Sequence, residues 1–183
     1  MSEFLAHEPK WHAMETIMRI QAVKRWHMID TSRVQTLAEH SANVALLAML
    51  IARTAPAEFF DSYSHVACYA LLHDAPEAFT GDIPTHTKRH LTGIDELENK
   101  FTHTLWKLEA RTSTVVLTKM CDIADGIRFI RLHGVDLTGV HAQDGLAEKF
   151  AAIFKTAKED YGWPQHVLDH VKSNLVFYAY ERS

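Results

Sequence analysis

The stretch Tyr69-Ala-Leu-Leu-His-Asp-Ala-Pro-Glu-Ala-Phe-Thr-Gly-Asp82 joins an apolar run to a polar turn. The apolar residues predict a buried helix, with adjacent His73 and Asp74 at its end. Glu77 follows within one turn, and Gly81 then interrupts the helix. An imidazole beside a carboxylate at the end of a buried helix indicates half of a metal site. The remaining ligands must come from other parts of the chain.

Length and composition limit the class of protein. A chain of 183 residues is long enough to bury a full core, and we expect a single domain over residues 1–183. The formal net charge of −4 argues against a nucleic-acid polymer as partner. Cys68 and Cys121 lack the spacing of a cysteine-type zinc site. No segment resembles a signal peptide or reaches membrane-spanning length, so we expect a cytoplasmic protein without a membrane partner.

The predicted fold is all-α, because glycine and proline are sparse and most segments follow helical periodicity. The predicted helices cover residues 12–24, 37–53, 62–73, 94–109, 113–132, 146–161 and 164–180. A short helical turn over residues 77–79 leads into a loop at residues 80–85, which glycine and proline mark as fixed.

Two of these helices carry polar residues on faces that should be buried. His40 shares one face with Val44, Ala48 and Ile51, so an imidazole interrupts an apolar line. A lone histidine of this kind usually hydrogen-bonds a backbone carbonyl in the core. The helix at 113–132 carries aspartates among apolar residues, and a buried unpaired carboxylate costs several kcal/mol, so a cation must lie near it.

Taken together, these residues offer four ligands for one divalent ion. They are His40, the His73–Asp74 pair and an aspartate of the helix at 113–132, which is Asp122 or Asp125. Imidazole and carboxylate ligands suit transition metals better than calcium, and no thiolate is present to select zinc. We expect Co²⁺, Mn²⁺ or Zn²⁺ at the centre, with Mg²⁺ as a candidate second ion on substrate phosphates.

The order His, then His-Asp, then Asp resembles the HD-domain phosphohydrolases. Within that superfamily the chain is similar to the bacterial 5′-deoxynucleotidases and the bacteriophage dATP triphosphohydrolases. The resemblance is carried by Arg25-Trp26, Glu39-His40-Ser41, His73-Asp74-Ala75-x-Glu77, Thr80-Gly81-Asp82-x-Pro84-Thr85 and Lys119-x-x-Asp122. It covers about residues 19–132, whereas the closing helices at about 146–180 carry no motif. It implies a single-domain HD-type helical bundle, a metal site between core helices and a homo-oligomer of two or more chains.

The resemblance also implies roles for the residues near the metal. The Lys-x-x-Asp pattern makes Asp122 the fourth ligand, and leaves Asp125 either to support a ligand or to pair with Arg128. A bound ion would polarise a phosphoryl oxygen and acidify a water molecule. Glu77 is the candidate to orient that water or to handle a proton. Arg25 can contact phosphate oxygens bidentately.

Substrate contacts form a second group of predicted residues. The same resemblance implies that Trp26 crowds the 2′ position of the sugar and so rejects ribonucleotides, with core packing as the alternative role. Asp82 can accept a hydrogen bond from the 3′-hydroxyl, and Thr85 extends the same loop towards the substrate. Lys88 and Lys119 can add positive charge for phosphates, although Lys88 can equally be a solvated surface lysine.

The resulting prediction is a metal-dependent deoxynucleotide phosphohydrolase that cleaves the bond between O5′ and the α-phosphorus. The substrate expected first is a dNTP of the dATP type, giving a deoxynucleoside and triphosphate. The alternatives are a 5′-deoxynucleotidase acting on dNMPs, a phosphodiesterase for cyclic or dinucleotides, and a non-catalytic nucleotide sensor stabilised by its metal. In each case the partner is a small nucleotide.

Overall fold

The computed structural model describes residues 15–56, 58–105 and 108–179 of the chain. Among these residues, strand-like pairing is limited to two isolated bridges, Lys24 with Thr36 and Thr31 with Gly134. A 3₁₀ turn covers Met18–Gln21. The α-helices follow in the order α1 (Leu37–Thr54), α2 (Tyr63–Leu72), α3 (Glu77–Thr80), α4 (Thr85–Lys88), α5 (Ile94–Leu105), α6 (Thr112–His133), α7 (Leu137–Glu159) and α8 (Gln165–Ala179). The all-α prediction is confirmed.

The helices that carry the candidate ligands begin and end close to their predicted positions. The side chain of Thr36 accepts a hydrogen bond from the backbone N–H of Glu39 and so caps α1. The side chain of Ser62 caps α2 in the same way, and His73 is the residue that closes α2. Because a capping side chain satisfies N–H groups that the helix leaves free, local sequence decides where these helices begin.

The first predicted helix ends earlier than expected. Helical turns stop at Gln21, not at residue 24, and residues 12–14 lie outside the described residues. The reason is a competing set of backbone hydrogen bonds. The carbonyl of Val23 accepts from the N–H of Leu37, and the N–H of Arg25 donates to the carbonyl of Gln35. These bonds hold the chain extended just before the Arg-Trp motif.

Two later boundaries also differ from the prediction. Helix α7 begins at Leu137, well before the predicted start at about residue 146. Asp136 caps it by accepting from the N–H groups of Thr138 and Gly139, which offsets the low helix propensity of the glycines that follow. Helix α5 ends at Leu105, while residues 108–110 are not helical. The prediction of a helix to residue 109 is therefore wrong.

Helix α6 lies at the centre of the bundle and packs against α1, α7 and α8, while α2 packs mainly against α1. Most of its apolar side chains are almost fully buried, including Leu117, Met120, Ala124 and Ile127. In the part of the chain that the structure describes, no helix is long and apolar enough to cross a bilayer. The metal-ligand candidates thus project from helices that a continuous apolar core holds in place.

The loop between the 3₁₀ turn and α1 is fastened to the far end of α6. Ser32 donates its backbone N–H to the carbonyl of His133, and Val135 donates to the carbonyl of Asp30. The ring of Phe129 lies under the Arg33 guanidinium, 4.9 Å from ring centroid to Cζ. The loop that carries Arg25 is consequently held between the start of α1 and the end of α6.

Candidate metal centre and substrate site

Four side chains from three helical segments converge at one end of the core. His40, His73, Asp74 and Asp122 each offer one ligand atom, and these atoms all lie within 4.8 Å of one another. The Nε2 atom of His40 is 3.2 Å from Asp122 Oδ1 and 3.6 Å from Asp74 Oδ2, and Nε2 of His73 is 3.1 Å from the same Asp74 oxygen. The structure therefore brings together the four residues that the sequence predicted as ligands.

The hydrogen bonds behind the two imidazoles test whether this group fits a metal. His73 donates from Nδ1 to the carbonyl of Ala70 at 2.7 Å, and His40 donates from Nδ1 to Asp125 Oδ2 at 2.8 Å. Both Nε2 atoms are buried and make no well-directed hydrogen bond within the described residues. Two buried imidazole nitrogens that face carboxylates, each with its other nitrogen anchored, match the donor set of a divalent transition metal.

Asp125 lies behind His40 and supports it. It is 1% exposed. Its Oδ2 accepts from His40 and from Gln35 Nε2 at 2.8 Å, and its Oδ1 accepts from Asn43 Nδ2 at 2.9 Å. The sequence left Asp125 either to support a metal ligand or to pair with Arg128. The structure shows its contact with the candidate ligand His40, whereas Arg128 is exposed.

The side chain of Arg25 lies between the loop that precedes α1 and the four candidate ligands. Its Nη1 donates to Asp74 Oδ2 at 3.3 Å, and its Nη2 is 3.8 Å from Asp122 Oδ1. Burial disfavours the charged guanidinium, but the surrounding carboxylates outweigh this effect and raise the pKa of Arg25 further. A permanent positive charge thus lies beside the candidate ligands, where a phosphate group could meet it.

Glu77 occupies the turn that follows the His-Asp pair. Its backbone N–H donates to the carbonyl of Asp74 at 3.0 Å, and its Oε2 is buried without a hydrogen-bond partner in the described part of the chain. Burial and the negative charges of Asp74 and Asp82 raise the pKa of Glu77 to about 9, against the opposing charges of Arg25 and Lys88. A carboxyl group with this pKa holds a proton at neutral pH and can exchange it with a reacting group.

Trp26 has an unusual backbone for a bulky residue. Its φ is 62°, in the left-handed region that side chains of this size rarely adopt. The indole N–H donates to Gln35 Oε1 at 2.7 Å, and the ring stacks on Phe129 with 6.4 Å between centroids and 6° between planes. The guanidinium of the neighbouring Arg25 lies over the indole, with 5.5 Å between its Cζ and the ring centroid. The side chain is half-buried, so part of its surface remains open to a ligand.

Comparison with known proteins identifies the group to which this site belongs. A family model described as 5′-deoxynucleotidase YfbR-like matches residues 12–122, which is more than half of the chain. The chain belongs to this family. Its matched segment contains all four converging residues, together with Arg25, Trp26 and Glu77.

Relatives of this YfbR-like chain include viral and bacterial enzymes. A dATP triphosphohydrolase of Salmonella phage PMBT28 is 38% identical over 145 residues, which cover 73% of this chain and 74% of that protein. A 5′-deoxynucleotidase of Photorhabdus laumondii is 33% identical over 92 residues, covering 49% of this chain and 42% of that protein.

A solved structure supports the fold of the family. The HD phosphohydrolase of cyanophage S-2L superposes with a TM-score of 0.68 at 23% sequence identity, over 89% of this chain and 94% of that one. That structure is described as bound to dA and one catalytic Zn²⁺ ion. The predicted HD-type helical architecture is confirmed.

Several lysine side chains lie near the four candidate ligands, and some of them are paired with carboxylates. Lys119 pairs with Asp122, and Lys88 pairs with Glu98 on α5. Lys149 on α7 was not predicted. Partial burial is the main cause that lowers the pKa of Lys149, and the positive charges of Lys119 and Arg89 lower it further. These three cations therefore lie near one another.

Two predicted substrate contacts, Asp82 and Thr85, and two residues that were not predicted complete the surroundings of the site. Asp82 lies close enough to Glu77 and Arg25 for its charge to raise the pKa of both. The side chain of Thr85 lies outside the described residues. Gln35 and Asn43 were missed altogether, although Asn43 lies three residues after His40 and therefore on the same helical face. For Gln35, which precedes α1 in an irregular loop, no local pattern was available.

Metal affinity is expected to rise with pH. Burial and the charge of Arg25 lower the pKa of His40, but the carboxylates of Asp122, Asp125 and Asp74 outweigh them and raise it to about 10. With this pKa, His40 carries a proton on Nε2 at neutral pH in the metal-free protein. Because a ligand nitrogen must be unprotonated, an ion that binds Nε2 has to displace that proton. We expect about tenfold higher affinity per pH unit between about pH 6.5 and 8.5, with one proton released.

Calorimetric Zn²⁺ titration of the metal-free protein, in buffers with different ionisation enthalpies, measures both quantities. An affinity that does not change with pH, accompanied by no proton release, would contradict the protonation of His40.

Proposed function

We propose that this protein is a metal-dependent deoxynucleotide phosphohydrolase that cleaves between O5′ and the α-phosphorus, with dATP as the favoured substrate and deoxyadenosine and triphosphate as products. The observation that carries the proposal is the convergence of two anchored imidazoles and two carboxylates beside a buried arginine. Membership of the YfbR-like family and the 38% identity to a phage dATP triphosphohydrolase support it.

His40, His73, Asp74 and Asp122 would hold the ion. Bound there, a divalent metal supplies Lewis-acid polarisation of the phosphoryl group and a source of nucleophilic water. The protein supplies orientation: the Asp125 carboxylate and the Ala70 carbonyl keep both imidazole Nε2 atoms directed at one point.

Arg25 and Glu77 would act on the substrate itself. The Arg25 guanidinium can donate to non-bridging oxygens of the α-phosphate and so stabilise the negative charge that the reaction redistributes. Glu77 is a buried carboxyl one turn from the ligand group, and transfer of a proton from it to the departing O5′ oxygen would yield the free 5′-hydroxyl of the deoxynucleoside.

The charge beyond the metal group favours a triphosphate over a monophosphate. Lys119 lies at the rim beside Asp122, and Lys149 and Arg89 lie near it. Three cations outside the ligand group can neutralise the β- and γ-phosphates, which a monophosphate lacks. Lys119 and Lys88 are both paired with carboxylates, but the partner of Lys119 is the candidate ligand Asp122, whose charge a bound ion would share, whereas Lys88 pairs with Glu98 outside the ligand group. The alternative, a 5′-deoxynucleotidase acting on dNMPs, is favoured by the names of the family and of the bacterial relatives.

A product panel tests the proposal. Metal-loaded protein is incubated separately with dATP, dAMP, ATP and a cyclic dinucleotide, and the products are separated by chromatography. Deoxyadenosine and triphosphate from dATP are the expected result. Phosphate released from dAMP alone would favour the nucleotidase, whereas pyrophosphate would place the cleaved bond elsewhere. If no nucleotide is consumed, the enzyme proposal fails and the non-catalytic sensor gains support.

Trp26 is proposed to reject the ribose 2′-hydroxyl, and its substitution should relax that selection. Replacement by alanine removes an indole that lies beside Arg25 at the edge of the site. We expect Trp26→Ala to reduce the ratio of kcat/KM for dATP over ATP by about tenfold or more, mainly because ATP is accepted better. Parallel kinetics with both nucleotides measure the ratio. If the variant discriminates as the wild type does, Trp26 has a packing role only.

The setting of the activity follows from the substrate. We propose that the protein works on free deoxynucleotides in the cytoplasm, or in the host cytoplasm if a phage encodes it, as a homo-oligomer of two or more chains. Light scattering of the purified protein would give the number of chains directly.

A further inference from the structure

A continuous line of hydrogen bonds connects Trp26 with the candidate metal ligand His40. The indole Nε1 of Trp26 donates to Gln35 Oε1 at 2.7 Å, and Gln35 Nε2 donates to Asp125 Oδ2 at 2.8 Å. The same Asp125 oxygen accepts from His40 Nδ1 at 2.8 Å. Gln35 and Asp125 are each 1% exposed and His40 is fully buried, so water does not compete for these bonds.

The chemistry of the partners allows only one orientation of the Gln35 amide. An indole nitrogen can only donate, so the oxygen of Gln35 must face Trp26. Carboxylate oxygens accept, so the amide nitrogen must face Asp125. Gln35 therefore hydrogen-bonds both the tryptophan and Asp125, the residue that supports the candidate ligand His40.

Trp26 depends on such contacts because its backbone is in a conformation that a large side chain disfavours, with φ at 62°. The indole also relies on the absence of a side chain at Gly126. A Cβ atom placed there would lie 3.3 Å from Trp26 Cζ2, with Leu146 Cδ1 at 3.5 Å. Phe129 stacks on the indole with the two ring planes nearly parallel. The ring is thus placed by packing against Gly126 and Phe129 together with a hydrogen bond to Gln35.

We propose that Gln35 is a positioning residue for sugar selection, which holds the Trp26 indole against the 2′ position and ties it to the Asp125–His40 pair. The inference rests on the proposed function, because it takes Trp26 to be the residue that meets the sugar. It adds that sugar selection and metal binding share one buried amide. Disturbing Gln35 should then affect both properties, although Gln35 contacts neither the sugar nor the ion.

Two substitutions separate this role from a general effect on the core. Gln35→Met keeps the length of the side chain and removes both of its hydrogen bonds. Asn43→Leu is the matched control, because Asn43 also donates one hydrogen bond to Asp125 but makes no contact with Trp26 that the structure records. A third variant, Trp26→Phe, keeps an aromatic ring and removes the indole N–H, so it breaks the same bond from the other end.

Three quantities are measured for each variant: the melting temperature, the Zn²⁺ affinity of the metal-free protein, and the ratio of dissociation constants for adenosine and 2′-deoxyadenosine in the metal-loaded protein. Loss of one hydrogen bond to Asp125 should weaken Zn²⁺ binding by roughly tenfold in both Gln35→Met and Asn43→Leu. The preference for the deoxynucleoside should fall by about tenfold in Gln35→Met and Trp26→Phe, and remain in Asn43→Leu.

The double variant provides the decisive comparison. If the two residues act through one bond, Gln35→Met combined with Trp26→Phe should lower the sugar preference no further than either change alone. Additive losses, or a Gln35→Met protein that keeps the wild-type sugar preference, would overturn the proposal. Nucleoside binding needs no turnover, so these results stand apart from the product panel, whose failure would contradict the proposed function instead.

Discussion

Asp74→Asn is expected to abolish tight metal binding and to reduce kcat/KM for dATP by on the order of 1,000-fold or more, equivalent to about 4 kcal/mol of transition-state stabilisation. Asp74 is the shared neighbour of both imidazole Nε2 atoms and of Arg25. Burial opposes its ionisation, but His73, His40 and Arg25 outweigh this effect and hold its pKa well below the usual range. Asparagine preserves the shape and removes the charge.

Metal analysis and steady-state kinetics of Asp74→Asn measure this effect. The matched control is Asp144→Asn, which makes the same change at an exposed position of α7 and should leave metal content and turnover unaltered. An Asp74→Asn protein that binds Zn²⁺ with wild-type affinity and hydrolyses dATP normally would refute the assignment of the ligand group.

Glu77→Gln is expected to lower kcat by roughly 100-fold to 10,000-fold while metal affinity changes little, because glutamine cannot exchange a proton. The same substitution has a signature in the metal-free protein. The pKa of Glu77 is raised to about 9 by burial and by the charges of Asp74 and Asp82. A raised pKa contributes stability at low pH that is lost as pH rises through that value, so the wild type should become less stable relative to Glu77→Gln between about pH 5 and 9.

Kinetics at saturating metal test the predicted loss of kcat. Denaturant unfolding of the metal-free proteins between about pH 5 and 9 tests the predicted difference in stability. Glu96→Gln, the same change at an exposed glutamate on α5, serves as the matched control and should leave both kcat and the pH dependence of stability as in the wild type. If Glu77→Gln retains full kcat, proton transfer must be assigned to another group.

The sequence predicted the fold and the ligand group because both leave periodic signals. His40 interrupts an apolar helical face, and His73 with Asp74 ends another, so their burial could be inferred from spacing alone. Family resemblance then selected Asp122 over Asp125. The structure brings the four together, and the position of Asp125 behind His40 explains why a second aspartate is buried one turn later on the same helix.

What the sequence did not reveal depends on contacts between distant segments. Gln35 lies in a loop that backbone hydrogen bonds fasten to His133 and Val135 at the far end of α6, so no local pattern marks it as buried. The left-handed backbone of Trp26 has no sequence signal, since glycine is the usual residue in that conformation. Lys149 lies in the predicted helix at 146–161 but was missed because no motif marks that helix, and its closeness to Lys119 and Arg89 depends on how distant helices pack.

The early end of the first helix has the same cause. Its sequence is compatible with helix up to residue 24, but pairing of Lys24 with Thr36 draws the chain into an extended conformation. Tertiary hydrogen bonding outweighs local propensity here. The consequence is functional, because the extended segment is what delivers Arg25 to the metal group.

The measurement that tests the central claim most directly is a metal titration of the metal-free protein with dATP hydrolysis as the readout. Zn²⁺, Co²⁺ and Mn²⁺ are added separately in increments, and deoxyadenosine and triphosphate are quantified at each step. We predict no turnover without metal and a rate that saturates at one ion per chain for at least one of these metals. Full activity in the thoroughly metal-free protein, or cleavage to dAMP and pyrophosphate, would contradict the account.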